Sequence, residues 1–204
     1  MDLTGNELLT ISQSFLDEMR KKYLNLPLLP VDALKSVIFT HAQIDACIIT
    51  DAVGIGFIRV KNSIDLKTEE NAVAECLVAV SVDTKGVIIG SNGGIAPLST
   101  CPRENCPSPP QILRTSNTIN KIEIGKVNDL RLPKEDNPLI KLGGIYFSRS
   151  AIMFILAQSS CEGIMAFIVN YPNNFHGLAI CGVNSNGNPQ IGSGQLIAYS
   201  NINI

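Results

Sequence analysis

Residues 147–194 read FSRSAIMFILAQSSCEGIMAFIVNYPNNFHGLAICGVNSNGNPQIGSG, and this stretch decides the fold. Its pattern predicts a short helix, a corner at Gly163, a strand, a polar loop, a second strand and an N-x-x-G turn at Asn184 to Gly187. Residues 39–93 carry a looser version, FTHAQIDACIITDAVGIGFIRV at 39–60 and CLVAVSVDTKGVIIGSNG at 76–93. Subtraction ties the two stretches together. An offset of 108 pairs Phe39 with Phe147, Thr40 with Ser148 and Ile44 with Ile152. An offset of 109 pairs Gly54-Ile55 with Gly163-Ile164, and one of 101 pairs Val82-Asp83 with Val183-Asn184 and Gly86 with Gly187. Two copies are too few for a solenoid, so a pseudo-symmetric pair sharing a sheet or core is expected.

The expected class is α+β: two diverged helix–strand–strand units forming mainly antiparallel sheet, with the helices packed on one side. Turns or loops join each strand pair without a crossover helix, which dictates the antiparallel sense. The 204 residues leave room for one sizeable domain or two small ones. The expected division puts an N-terminal helix, the first unit and a Pro/Cys-rich loop in 1–118, and a connector and the second unit in 119–204.

Outside the two units, Thr4 and Glu7 have capping-box spacing, and Leu8, Ile11, Phe15, Met19 and Tyr23 recur at helical intervals. They predict an amphipathic helix from about 5 to 23. Val31 to Ser36 reads as a connector or helical turn, and KSVIFTHAQ as an ordinary surface stretch. Thr40 can cap a helix from His41 to about Thr50. Strands are expected at Ile55 to Val60, Glu75 to Val82, Val87 to Gly90 and Gln195 to Ser200, with a weaker one at Ile119 to Ile124. Lys126 to Asn137 reads as a polar connector.

A 45% apolar and 17% charged composition argues against disorder. No apolar run reaches the roughly 18 residues of a membrane span; the richest, Ala151 to Val169, is interrupted by Gln158 to Glu162. The start of the sequence lacks a basic region followed by an apolar stretch, so a cytoplasmic location is the default, with signal-less export left open. A net charge of −2 without a Lys/Arg cluster gives no footprint for nucleic acid or an anionic membrane.

Cys101 and Cys106 are the first chemical candidates. Five prolines between 97 and 110 rule out a helix or central strand and predict an exposed loop. The four-residue spacing is compatible with zinc ligation or a small disulfide. A closed zinc site needs about four ligands, and only His41, His176 and scattered cysteines are on offer, so reduced thiols in a structured loop are favoured. Cys47, Cys76, Cys161 and Cys181 lie in apolar segments and read as small core residues. A deaminase reading fails because no His precedes Glu69-Glu70 and the cysteine pair has the wrong spacing and order. A Cys161/His176 nucleophile pair is disfavoured because Cys161 ends a predicted helix rather than beginning one. Asp83 and Asn184 read as turn formers, and Gly90 to Gly94 lacks the Lys of a phosphate loop.

The segments ILAQSSCEGIMAFIV and LAICGVNSNGN resemble a family of short uncharacterised Bacteroidetes proteins with the pattern I-L-A-Q-P-G-C-x-G-I-R-x-Y, then L-V-L-V-G-V-D-x-x-G-N-D, and a C-P-P-x-C tail. The match falls on Ile155 to Gln158, Cys161, Gly163-Ile164, Gly182 to Asn184 and Gly187-Asn188. The first copy keeps Gly54-Ile55, Val82-Asp83 and Gly86, with Cys101 to Pro107 where the tail would fall. Met165 stands where the pattern has Arg, and Asn184 where it has Asp. The resemblance implies no activity.

These residues support a non-enzymatic protein that associates with itself as a homo-oligomer or with another protein. The alternative is a metal-binding or thiol-redox protein using Cys101 and Cys106, with zinc as the metal. From Ser150 to Ile204 the only formal charge is Glu162, whereas soluble surfaces usually carry mixed charges. The expected interface therefore lies within about 165–204, at Ile168, Ile180, Ile197 and Tyr199, with Arg59, Lys61 and Glu75 marking a more exposed first copy.

Overall fold

The computed structural model describes residues 3, 8–26, 33–61, 75–90, 93–102, 119–131, 144–170, 176–200 and 204, with the backbone alone for 99–102 and 176. Two antiparallel sheets face each other. The first contains β1 (Leu34–Thr40), β5 (Ser99–Pro102), β8 (Gly163–Asn170), β9 (His176–Val183), β10 (Pro189–Gln190) and β11 (Ile197–Ser200). The second contains β2 (Gly54–Lys61), β3 (Glu75–Val82), β4 (Gly94–Ile95), β6 (Lys121–Ile122) and β7 (Gly144–Ser148). The helices are α1 (Gln13–Leu24), α2 (His41–Asp45), α3 (Ile124–Leu130) and α4 (Arg149–Leu156). The expected mixed α+β class with mainly antiparallel sheet is therefore present.

The period-2 alternation of the long strands explains the stacking. In β8, Ile164, Ala166 and Ile168 face the core between the sheets, while Met165, Phe167 and Val169 face outward. In β3, Leu77 and Ala79 face inward, while Cys76, Val78, Val80 and Val82 face outward. Phe39, Phe57 and Phe147 meet between the sheets, with ring centroids 5.4 and 5.8 Å apart along the trio. Each buried aromatic or branched aliphatic side chain contributes about 1.5–3 kcal/mol.

Both outer faces are apolar, and both are covered. Leu16 and Met19 of α1 pack on the first sheet, whereas Val127 of α3 packs on the second, joined by Leu3 and Ile204. Helices thus lie on opposite outer faces, and α2 and α4 reach the central core through Ile44, Ile152 and Ile155. The expectation of helices on one side is corrected accordingly: a sheet buried on both faces needs a cover on each.

Two stretches of chain run through the same succession of strand, helix, strand and strand, but each contributes its first strand to the other's sheet. Strand β1 pairs β8, with Thr40 opposite Gly163; β7 pairs β2, with Ser148 opposite Gly54. The crossings match in detail. His41 N–H donates to Glu162 O (2.9 Å) and Arg149 N–H to Val53 O (2.8 Å). Thr40 and Ser148 are the N-caps of α2 and α4. The carboxylate Oδ1 of Asp83 accepts from Lys85 and Val87 N–H, and Asn184 Oδ1 accepts from Asn186 and Asn188 N–H. Gly86 and Gly187 close these turns at φ +75° and +73°, a conformation that favours glycine. Because the central core mixes residues from both sides of position 118, a cut at 118/119 does not separate two cores.

Several local expectations are corrected. Leu34–Thr40, read as connector and surface, is a buried strand, and Gly144–Ser148 is a strand before its helix. Residues 124–130 form α3 rather than a polar connector, burying Val127. Val87 to Gly90 makes only an isolated bridge, Val82 to Ile88. The first helix begins at Gln13, capped by Ser12, and Leu9 to Ile11 are extended against β11; Thr4 and Glu7 lie outside the described residues. Helix α2 stops at Asp45, well short of Thr50.

Candidate functional site

The strands place most of the sequence-derived candidates inside the protein. Ile168 and Ile180 are 1% and 0% exposed and face the central core. Ile197 and Tyr199, at 2% and 5%, belong to the apolar cluster on the outer face of the first sheet, which also holds Leu16 and Met19 of α1. The expected interface side chains are therefore core residues; their strands lack charge because they are buried within one chain. Arg59, taken as a mark of exposure, is 2% exposed. Its Nε donates to Glu75 Oε2 at 2.7 Å and its Nη2 to Glu75 Oε1, a paired geometry that lets the cation be buried.

Cys101 lies in edge strand β5, opposite Ser36 of β1, rather than in an irregular loop. Its side chain and the whole of Cys106 lie outside the described residues. Among the described residues no three His, Cys, Asp or Glu side chains are grouped to hold a metal. The Cys161/His176 pairing is excluded by register. Gly163 is opposite Val183 and Asn170 is opposite His176, so the two candidates lie at opposite ends of a ladder of eight residue pairs, which is about 23 Å long at strand spacing. Of the Gly90–Gly94 stretch, residues 91 and 92 lie outside the described residues, and Gly94 is packed within β4, where a Cβ would lie 2.5 Å from Val78 Cγ1.

The remaining thiols are unsuited to nucleophilic work. Burial pushes Cys47 and Cys181 up to about 12, and Cys76 higher still. Cys161 is raised too, by burial first, against the lowering effect of backbone hydrogen bonds. An unfolded thiol ionises near ~8.5, so from about pH 9 to about 12 the native chain holds protons that the unfolded chain has lost. Stability is therefore expected to fall as pH rises through that window. At pH 8, a thiol reagent should leave Cys47, Cys76 and Cys181 unmodified until the protein is denatured. Labelling of the native protein at the unfolded rate would contradict this burial.

Among the described residues, one surface feature is the end of the first sheet. Leu9, Thr10 and Ile11 lie alongside β11: Ile11 N–H donates to Ile197 O (3.0 Å) and Tyr199 N–H to Leu9 O (2.9 Å), around a Thr10–Ala198 bridge. Leu8 and Leu9 are 37% and 57% exposed. Residues 8–16 carry no charge. Beside this edge is a cleft of about 320 Å³ lined by residues 11–13, 191–195 and Ile197. None of its side chains is an acid, a base or a thiol, and the Ser12 hydroxyl already caps Phe15 N–H. The sequence signal for this edge was present as an uncharged run, but its apolar spacing also fits a helix.

Among the described residues no helix is long and apolar enough to cross a membrane. Comparison with known protein families, curated proteins and solved structures found no match for this chain.

Proposed function

We propose that this chain is a non-enzymatic, self-associating protein built from two diverged copies of one unit, related to the short Bacteroidetes proteins it resembles. The observation that carries self-association is the exposed, uncharged strand edge at Leu8 to Ile11, with two leucines in solvent. Edges left free in monomers are usually guarded by Lys, Pro or a bulge, and this one has no Lys or Pro. The matched offsets, caps and turns support the duplication. The contact surface moves from the side chains of 165–204 to the strand laid along them.

Light scattering across a concentration series tests the proposal. The expected mass is twice that of the chain. Leu9→Lys should weaken association about 10-fold or more while leaving circular dichroism unchanged, because a charge is placed at an apolar contact. A folded monomer persisting into the high micromolar range would overturn the reading. Stoichiometric zinc in that monomer would favour Cys101 and Cys106 instead.

A further inference from the structure

Building on the self-association reading, we infer that two copies join by antiparallel strand addition, with Thr10 facing the partner's Thr10 across a twofold axis. The hydrogen bonds around the Thr10–Ala198 bridge run from Ile11 N–H to Ile197 O and from Tyr199 N–H to Leu9 O. That is the pattern of a non-hydrogen-bonded antiparallel pair, in which both residues' own N–H and C=O groups point away from the shared ladder. The N–H and C=O of Thr10 therefore face outward from β11. Thr10 is exposed, and no described residue bonds to either group.

A second copy is the occupant that fits. A donor and an acceptor on one residue are self-complementary: a twofold axis brings each N–H to the other chain's C=O. Leu9 then lies across from the partner's Ile11, and the most exposed apolar side chain of the segment is covered. Since residues 8–16 are uncharged, like meets like without repulsion, and nothing on the edge selects an oppositely charged partner. Ser12 is itself extended (φ −78°, ψ 159°), so the strand can run to the start of α1 before turning away.

Two variants test this register. Thr10→Pro removes the outward N–H, which has no acceptor among the described residues, and proline is tolerated on an edge whose N–H faces solvent. It should weaken the dimer about 30-fold, the loss of two backbone bonds, with unchanged circular dichroism. Thr10→Cys should form a disulfide between the two introduced thiols on mild oxidation, identified by peptide mass. A hydrogen-bonded antiparallel pair sets its Cα atoms about 5.5 Å apart, within disulfide reach. A wild-type dimer that Thr10→Pro leaves intact, or that Thr10→Cys fails to crosslink, overturns strand addition centred on Thr10 while self-association stands. A wild-type monomer overturns both. Where Thr10→Pro fails to fold, the crosslink alone decides, its presence supporting the register and its absence overturning it.

Discussion

Replacing Gly163 by alanine is expected to cost about 3 kcal/mol of stability, and replacing Gly54 a similar amount. A Cβ on Gly163 would fall well inside contact distance of the Phe39 carbonyl oxygen, with Phe39 C and Thr40 Cα each only 3.1 Å away. On Gly54 it would strike the Phe147 carbonyl oxygen and the Tyr146 ring. These obstacles are mostly backbone, which cannot rotate aside as a side chain can. Relief requires β1 to move away from β8, or β7 from β2, and those are the pairings by which each half completes the other's sheet. The penalty should therefore spread along the ladder. Gly192 supplies the control, since a Cβ there meets nothing within 4 Å. Alanine at that position should change stability by less than about 0.5 kcal/mol. Urea unfolding of the three variants decides the matter; a Gly163→Ala midpoint equal to that of Gly192→Ala would show that the strands do not approach this closely.

Glu75→Ala is expected to cost about 3 kcal/mol, because it strips the carboxylate from a buried guanidinium. Arg59 is 2% exposed and Glu75 is largely buried beside it, at 19% side-chain exposure, so solvent can replace little of what is lost. Arg59 makes a further interaction besides these two bonds, which places the expected loss at the lower end of the range for broken buried pairs. The second half shows another solution. The offset of 109 sets Ile168 at the place of Arg59, and that of 101 sets His176 at the place of Glu75. Ile168 is buried in the central core without any charge to satisfy. Arg59→Ile combined with Glu75→Gln should therefore recover most of the loss, as apolar replacements of buried pairs often do. A Glu75→Ala protein as stable as wild type would show the pair to be dispensable. A double variant worse than Glu75→Ala would show that Arg59 is held by its other interaction.

What residues 39–93 and 147–194 settled by themselves was local. Strands at Glu75–Val82 and Gly163–Asn170 follow from apolar runs bounded by turn residues, Thr40 is read correctly as a cap, and Asp83 and Asn184 are read correctly as turn formers. Each depends on a few neighbouring residues, so sequence order carries the information. Tertiary structure decided the remainder. Residues 8–11 fit helical spacing, yet β11 offers them backbone partners that an isolated helix end lacks. The short apolar runs of β1 and β7 become strands only because the opposite half supplies an edge for each. An uncharged strand is the same sequence signal whether it is covered by its own chain or by another. For Ile168, Ile180, Ile197 and Tyr199 the cover came from within the chain, through the facing sheet and the apolar cluster on the outer face of the first sheet. Burial of Arg59 was hidden for a related reason: the β2–β3 register, with Lys61 opposite Glu75, is what brings the carboxylate to it. Pairing between distant segments is a property of the whole chain's packing, because the free energy that selects it comes from shared burial rather than from local conformational preference.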